Sequence, residues 1–359
     1  MVYLHGVIDN NKRLADLIDV LGSSKWVAID TEADSLHAYP EKLCLIQLSC
    51  ERADALIDPL AAIDLKTGFI PLIARKPLIF HGADYDLRML YRTCEFVPEQ
   101  LFDTMIAARL LGYEQFGLIH LVERHLTVKL EKGPQKMNWA RRPLTPRMEA
   151  YAQNDTRYLK PLADILTELL AAKGRLSWSV ETCQKLIVEC SKVEPADPES
   201  IWRLKGSDRL NSTALAILRE LWTWREKEAR EANKPPFFIV SHDVLLDWSV
   251  ALAGSVPPQA LLPSRIGGEK RNRLLDAVER GLAVPRDEQP QRRRTAPVYP
   301  TVAEQKRFAE IKARRDAMAQ DLNIDPTLIA SKNILLLLAQ NWEKSFPRLM
   351  EWQKNLLSH

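Results

Sequence analysis

The sequence predicts an α/β domain followed by two small helical modules. Short apolar segments alternate with helix-patterned segments up to about residue 196, as in a sheet covered by helices. A proline-rich stretch at residues 194–198 then interrupts the pattern. Beyond it the chain is helical in pattern and repeats itself after 90 residues, and its 359 residues suffice for two or three domains.

Composition sets the broad class of the protein. Hydrophobic residues make up 46% and charged residues 27% of the chain, which is ordinary for a globular protein and excludes bulk disorder. The net charge of +3 does not by itself indicate a nucleic-acid-binding protein. The five cysteines are odd in number and include no Cys-x-x-Cys pair, so we expect neither a zinc knuckle nor a disulfide framework, and no disulfide-linked partner.

The N-terminus and the apolar runs predict the cellular compartment of the protein. The N-terminus lacks the basic and apolar segments of a secretion signal. The longest apolar run, residues 334–339, is far shorter than the roughly 20 residues that span a bilayer. Together with the unpaired cysteines, these features predict a cytoplasmic protein that does not contact membranes.

The first strand is predicted at residues 26–32, after a helix capped by Asp9 and ended by Gly22. The strand is apolar up to Asp30, and the strand period of two places Asp30 and Glu32 on one face. Two carboxylates so near each other indicate either a metal site or a strand end that opens into water.

Further elements follow in the predicted α/β order. Strands at 43–48 and 55–57 are expected beside the first strand, and a helix at 65–74 leads to a strand at 77–81. That strand runs into a helix in which Asp84 could be the cap and Asp86 lies in the first turn, where an acid also compensates the helix dipole. Helices are then predicted at 101–111 and 118–126.

Residues 127–146 form a predicted basic loop that includes Lys136 and Trp139. Basic groups interleaved with an aromatic ring suit a phosphate backbone and a stacked base, although a solvated loop with one packed Trp has the same composition. A long helix is predicted from 147 to 172. On it Tyr151 and Asp155 are four residues apart and therefore share a face, as in a surface hydrogen bond or in an active site.

Past the proline-rich stretch, residues 221–246 align with 311–336 without a gap. Identical residues in the two copies include Arg225 and Arg315, and Asn233 and Asn323. We therefore expect two copies of one helical module. Residues 286–297 are proline-rich and polar and are predicted as the linker between them; their arginines could touch RNA phosphate or simply be solvated.

Asp30, Glu32, Asp86 and Asp155 could together form a two-metal site for phosphodiester hydrolysis. In such sites ions roughly 4 Å apart activate a water and stabilise the departing oxygen. Because the candidate ligands are all oxygens, the expected cofactors are two divalent ions, Mg²⁺ or Mn²⁺.

The chain resembles the DEDDy 3′-to-5′ exonucleases, and most closely the ribonuclease D family. Three segments resemble the family's exonuclease motifs: Asp30-Thr31-Glu32, His81-Gly82-Ala83-Asp84-Tyr85-Asp86 and Tyr151-Ala152-Gln153-Asn154-Asp155. Residues 136–145 are similar to the family's approach to its third motif, and the helical repeats resemble HRDC modules. Residues 33–37 depart from the family pattern, so we expect the pocket for the terminal nucleotide to differ from that of the family.

The resemblance implies a role for each motif residue. Asp30, Glu32 and Asp155 would hold one ion, and Asp30 and Asp86 the other, while Tyr151 would position the attacking water. His81 would lie beside the 3′-terminal nucleotide, and Lys136 and Trp139 would contact substrate. Asp86 is preferred to Asp84 as the ligand because its spacing from His81 matches the family.

The expected architecture is an RNase H-like (DnaQ-like) exonuclease domain with a mixed sheet, followed by two small all-α HRDC-like domains. The domains are predicted at 1–196, 197–285 and 298–359, with the last one shortened at its end. The expected activity is metal-dependent hydrolysis of single-stranded RNA 3′ ends, including tRNA precursors, to nucleoside 5′-monophosphates. A DNA exonuclease of the same chemistry and a catalytically silent RNA-binding adaptor are the alternatives.

Overall fold

A computed structural model describes residues 6–133, 135–192, 197–261, 263, 266–292 and 301–358. Within these ranges the strands form one mixed sheet in the order β1-β4-β3-β2-β5-β6. The strands are β1 (Val7–Ile8), β2 (Val27–Ala33), β3 (Leu43–Ser49), β4 (Asp54–Ile57), β5 (Leu78–Phe80) and β6 (Leu101–Asp103). β3 runs antiparallel to both of its neighbours, and the other pairings are parallel.

Eighteen α-helices lie in the described ranges. In the first part of the chain they are α1 (Asn11–Gly22), α2 (Ile70–Ala74), α3 (Asp84–Cys94), α4 (Thr104–Leu110), α5 (Leu118–Leu126), α6 (Pro146–Arg157), α7 (Leu159–Ala172) and α8 (Leu176–Cys190). They continue as α9 (Ser212–Ala232), α10 (Pro236–Ile239), α11 (His242–Ala253), α12 (Pro258–Leu261), α13 (Gly268–Ala283), α14 (Val302–Leu322), α15 (Pro326–Ile329), α16 (Lys332–Gln340), α17 (Trp342–Ser345) and α18 (Glu351–Leu357). A π-helical turn (Leu65–Phe69) precedes α2, and 3₁₀ turns occupy Ser207–Arg209 and Phe346–Arg348.

The described chain divides into two compact units. One contains Met1–Ala33, Leu43–Val193 and Tyr299–His359, and the other contains Asp34–Lys42 and Glu194–Val298. The second unit has its own core, formed by residues of α9, α11 and α13. Two hydrogen bonds hold the loop 34–42 in this unit, because the Tyr39 hydroxyl donates to Glu226 and the Tyr39 N–H donates to Asn233. The domain boundaries predicted from the sequence stay a prediction, and residues 293–297 of the predicted linker lie outside the described residues.

The central strands form where the sequence predicts them. β2 is buried from Val27 to Ile29, and every residue of β3 is buried, as expected for a continuous apolar run in the middle of a sheet. β2, β3 and β4 are neighbours, which confirms the predicted arrangement of these strands. The mixed sheet also confirms the predicted fold class.

Two predicted helices differ from the structure. Residues Leu101–Asp103 form strand β6 rather than the start of a helix, because they pair with the open edge of β5, and Asp103 instead caps α4. The helix predicted from 147 to 172 is two helices, α6 and α7, separated at Tyr158. Apolar periodicity continues across such a break, so the sequence pattern does not reveal it.

The predicted internal repeat is confirmed in the structure. α14, α15 and α16 begin 90 residues after α9, α10 and α11, and both long helices end at an asparagine in the left-handed conformation. In each copy a buried arginine donates to a carbonyl 15 residues further on, Arg225 to Val240 and Arg315 to Ala330. The same side chain therefore ties the same turn to the long helix in both copies.

The second helical copy packs on helices of the α/β part of the first unit. Residues of α4, α5 and α7 share one hydrophobic core with α14, α16 and α18. The buried Arg175 guanidinium donates to the carbonyls of Leu110 and Leu322 at 2.7 Å each. The Trp178 ring stacks on the Trp352 ring, with 4.9 Å between the ring centroids. This copy is therefore part of the same compact unit as the sheet.

Two further observations concern membrane-spanning helices and the cysteines. None of the helices in the described ranges combines the length and the apolar character needed to cross a membrane. All five cysteines are free and buried.

Candidate active site

Three of the predicted acids converge at the end of β2. Asp30 and Glu32 project from one face of the strand, and Asp155 reaches them from the last turn of α6. One carboxylate oxygen from each residue lies within 4.8 Å of the others. Thr145 and Pro146 start α6 as N-cap and first helical residue, which sets where along the helix Asp155 falls.

The fourth acid, Asp86, lies in the first turn of α3 and is 6% exposed. Its carboxylate accepts a hydrogen bond of 2.5 Å from the Thr31 hydroxyl, between the two acids of β2. It lies close enough to raise the pKa of Asp30. Asp84 is exposed and pairs with Arg88 at 3.1 Å, so the structure favours Asp86 as the site residue.

Burial and mutual repulsion raise the pKa of every carboxyl group in the site. Burial is the largest cause for Glu32, whose pKa rises to about 9, and the charges of Asp155 and Asp86 add to it. Burial also raises the pKa of Asp155 to about 7 and that of Asp86 to about 6. The pKa of Asp30 rises well above its usual range for the same reasons. All four groups can be ionised near neutral pH only when a cation compensates their charge.

The basic loop encloses Tyr151. A Cβ at Gly133 would overlap the Tyr151 ring at 1.5 Å, so the loop backbone lies directly on that ring. Trp139 packs on the same ring, with 6.1 Å between ring centroids. Gln135 hydrogen-bonds to Tyr151. Gly133 and Gln135 were not singled out in the sequence, because glycine and glutamine in a polar loop carry no distinctive signal.

The structure contradicts a substrate role for Trp139. Its side chain has no exposed surface and belongs to a core cluster with Leu45, Met148 and Ala152. A base cannot stack on a ring that has no open face, so Trp139 is a packing residue that supports Tyr151. Lys136, in contrast, is exposed at the surface of the loop.

His81 is a half-buried histidine at the end of β5. Its Nδ1 lies 2.8 Å from the Thr104 hydroxyl, which itself donates to the Phe80 carbonyl. Because the single hydroxyl proton is committed to Phe80, Nδ1 carries the proton and Nε2 is left as an acceptor. Burial lowers the pKa of His81, which keeps the ring neutral.

Asp103 fixes the turn between β5 and α3. Its carboxylate accepts from the N–H groups of Gly82 and Ala83 at 3.0 and 2.8 Å, and from Met105 and Ile106 at the start of α4. It thereby orients the helix that carries Asp86. The sequence did not identify this residue, because its role depends on β6 lying beside β5.

The residues present fit a divalent metal ion. In the described part of the chain the cluster contains only carboxylates, the ligands that Mg²⁺ and Mn²⁺ prefer. The buried Asp155 Oδ2 and both amide atoms of Gln47, the cross-strand neighbour of Asp30, have no hydrogen-bond partner within the described structure. Buried polar atoms without partners are costly, and a bound cation would satisfy the Asp155 oxygen.

The fold and this site define the class of protein, a 3′-5′ exonuclease with helical modules. The model of the 3′-5′ exonuclease family matches residues 6–171, and the model of the HRDC domain matches residues 214–256. Exonucleases of this kind depend on divalent metal ions.

Known relatives narrow the class to one family. Ribonuclease D of Zymomonas mobilis is 33% identical over 298 residues, which cover 80% of this chain and 76% of the relative. The crystal structure of Escherichia coli RNase D, described as an exoribonuclease involved in structured RNA processing, matches with a TM-score of 0.77 and 28% identity over 100% of this chain and 97% of that one. The catalytic core of RRP6 from Trypanosoma brucei matches with a TM-score of 0.63 and 26% identity over 77% and 78% of the two chains. This chain belongs to the ribonuclease D family, the 3′-5′ exoribonucleases.

Proposed function

We propose that the protein trims the 3′ ends of structured RNAs, such as tRNA precursors, and releases nucleoside 5′-monophosphates with the help of two divalent ions, Mg²⁺ or Mn²⁺. The observation that carries this proposal is the convergence of Asp30, Glu32 and Asp155 from two elements far apart in the chain. The Escherichia coli relative is an exoribonuclease involved in structured RNA processing, which supports structured RNA as the substrate class. Five free cysteines support the cytoplasm as the compartment.

Each site residue has a proposed role. Asp30, Glu32 and Asp155 would hold one ion, and Asp30 with Asp86 the second. Ions held there would supply an activated water for attack on the terminal phosphodiester and would stabilise the departing 3′ oxygen. Tyr151 lies one helical turn from Asp155 and would orient that water through its hydroxyl, which burial keeps protonated by raising its pKa.

Two residues are proposed to bind the terminal nucleotide. His81 offers Nε2 as an acceptor, which suits a ribose hydroxyl of the last nucleotide. Lys136 suits a phosphate further along the strand, because it is exposed on the basic loop. Discrimination between RNA and DNA depends on contacts to the 2′-hydroxyl.

A side-by-side digestion tests this function. Matched single-stranded RNA and DNA oligonucleotides, each with a free or a blocked 3′ end, are incubated with Mg²⁺ or Mn²⁺. We expect mononucleotides from RNA with a free 3′ end and none from the blocked RNA. Faster digestion of DNA would identify a DNA exonuclease, and no release with either metal would leave the RNA-binding adaptor as the better account.

A further inference from the structure

We propose that Asp54 is a positioning residue for the metal ligand Asp155. This inference rests on the proposed role of Asp155 in metal binding. Asp54 begins β4 and is the direct cross-strand partner of Ser49, the last residue of β3. The exposed fractions of Asp54 and Ser49 are 4% and 2%, so their polar atoms can be satisfied only by neighbouring protein groups.

The hydrogen-bond directions within this group can be assigned. The Ser49 hydroxyl donates to Asp54 Oδ1 at 2.6 Å, since an ionised carboxylate only accepts. The Thr156 hydroxyl lies 2.8 Å from the Ser49 oxygen and must therefore be the donor of that contact. Arg157 Nε donates to Asp54 Oδ2 at 2.9 Å. Both residues that follow Asp155 in the chain are thus bound, directly or through Ser49, to the carboxylate of Asp54.

The network holds the part of α6 that apolar packing does not hold. Met148, Ala152 and Thr156 recur every four residues and lie on one face of α6. Met148 and Ala152 belong to the same core cluster as Leu45 of β3. One turn further on, the same face presents Thr156 to the polar network. The apolar contacts therefore fix the first half of α6, and the Asp54 network fixes its last turn.

The last turn of α6 needs this support. The helix ends at Arg157, two residues after Asp155, and the final turn of a helix has carbonyl groups without intrahelical partners. Asp155 also lies close to two other acids, because one carboxylate oxygen each of Asp155, Asp30 and Glu32 lies within 4.8 Å of the others. Repulsion between the acids would move the end of the helix away from β2, and the network opposes this movement.

Asp54→Asn in the full-length protein is the primary test. Groups that orient metal ligands without touching the metal typically change metal affinity by about 10- to 100-fold. We expect Mn²⁺ affinity, measured by calorimetry, to fall by about that factor. The kcat on single-stranded RNA should fall at low Mn²⁺ and recover at high Mn²⁺, whereas the KM for RNA stays unchanged.

Two further variants control for a loss of folding. Arg157→Gln removes the other half of the ion pair at a side chain that is 31% exposed, so it should fold and shift Mn²⁺ affinity in the same direction. Glu228→Gln breaks a comparable pair in the other unit, where Arg273 donates to Glu228 at 2.7 and 3.1 Å. It should lower the melting temperature without changing Mn²⁺ affinity.

The outcomes separate this inference from the proposed function. If Asp54→Asn and Arg157→Gln lower the melting temperature as Glu228→Gln does but bind Mn²⁺ like the wild type, the inference is overturned. Asp155→Asn provides the reference, because it should abolish high-affinity binding. If Asp155→Asn binds Mn²⁺ normally, the proposed metal role of Asp155 itself fails.

Discussion

The carboxyl groups of the site make the metal-free protein sensitive to pH. The pKa of Glu32 rises to about 9, that of Asp155 to about 7 and that of Asp86 to about 6. The folded protein therefore binds protons at these groups that the unfolded chain releases. Their contribution to stability is fully present below the ordinary carboxyl pKa and is lost as the pH rises through the raised values.

We predict that the melting temperature in EDTA falls between about pH 5 and pH 9. Saturating Mn²⁺ should flatten this profile, because a bound cation compensates the ionised acids. Asp30→Asn should also flatten it in EDTA by removing one of the repelling charges. Thermal melts at a series of pH values check both effects, and a flat profile for the wild type in EDTA would contradict the account.

The Tyr151 ring packs on the basic loop, and its hydroxyl is the group proposed to orient the attacking water. We predict that Tyr151→Phe lowers kcat by about 10²-fold, while calorimetry shows unchanged Mn²⁺ affinity, because the ring still packs on Gly133 and Trp139. Tyr158→Phe, between α6 and α7, is the matched control and should retain full activity. Wild-type turnover by Tyr151→Phe would show that the hydroxyl does not orient the water.

Residue-level prediction succeeded where the signal is local. Strand alternation was enough to pair Asp30 with Glu32, and helical spacing was enough to pair Tyr151 with Asp155. The burial of Trp139 could not be predicted, because a Trp among basic residues has the same pattern whether it packs or stacks. Asp103 and Asp54 act through strands that meet only in the folded sheet.

At the scale of elements, the turn after α4 fits closely against the end of α14. Gly112 has a φ of +87°, and a Cβ there would lie 1.9 Å from the carbonyl oxygen of Asn323. Nearby, Arg175 donates to the carbonyls at the ends of both helices. These contacts dock the second helical copy on the nuclease helices.

We predict that Gly112→Ala destabilises the protein by roughly 1–3 kcal/mol through backbone strain and displacement of α14. Gly174→Ala is the matched control, because Gly174 also has a positive φ of +65° but no atom within 4 Å of its added Cβ. Chemical denaturation compares the two variants. Equal losses of stability would show that strain alone matters and that the close approach to Asn323 does not.

The prediction of helices and strands was limited in two ways. The sequence does not show which strand edge is open for pairing, and it does not show where a long helical pattern is broken into two helices. The segment before α4 has the apolar pattern of either a helix or a short strand, and only the open edge of β5 decides for the strand. The repeat, in contrast, could be predicted because the same pattern of residues occurs twice at a constant spacing of 90 residues. In the structure the long helices of the two copies, α9 and α14, have the same length and start 90 residues apart.

At the scale of the whole molecule, the two helical copies belong to different units. The first lies in the unit with its own core, and the second shares the core of the nuclease helices. Sequence similarity between the copies could not reveal this difference, because the residues that dock the second copy, Arg175 and Trp178, lie outside the repeat.

We predict that a chain ending at residue 298 melts at a lower temperature than the full chain and binds a hydrophobic dye. Loss of the second copy would expose apolar surface such as the Trp178 ring, which stacks on Trp352 in the full chain. Calorimetric melting and dye fluorescence check this. An unchanged melting temperature would show that the second copy does not support the nuclease fold.

The converging acids are proposed to form a metal-dependent exonuclease site. The most direct test of this proposal is the release of nucleoside 5′-monophosphates from single-stranded RNA by the wild type and by Asp30→Asn at saturating Mn²⁺. We predict steady release from free 3′ ends by the wild type and no release by Asp30→Asn, whose metal-free melting temperature should not be lower. Undiminished release by Asp30→Asn would contradict the claim.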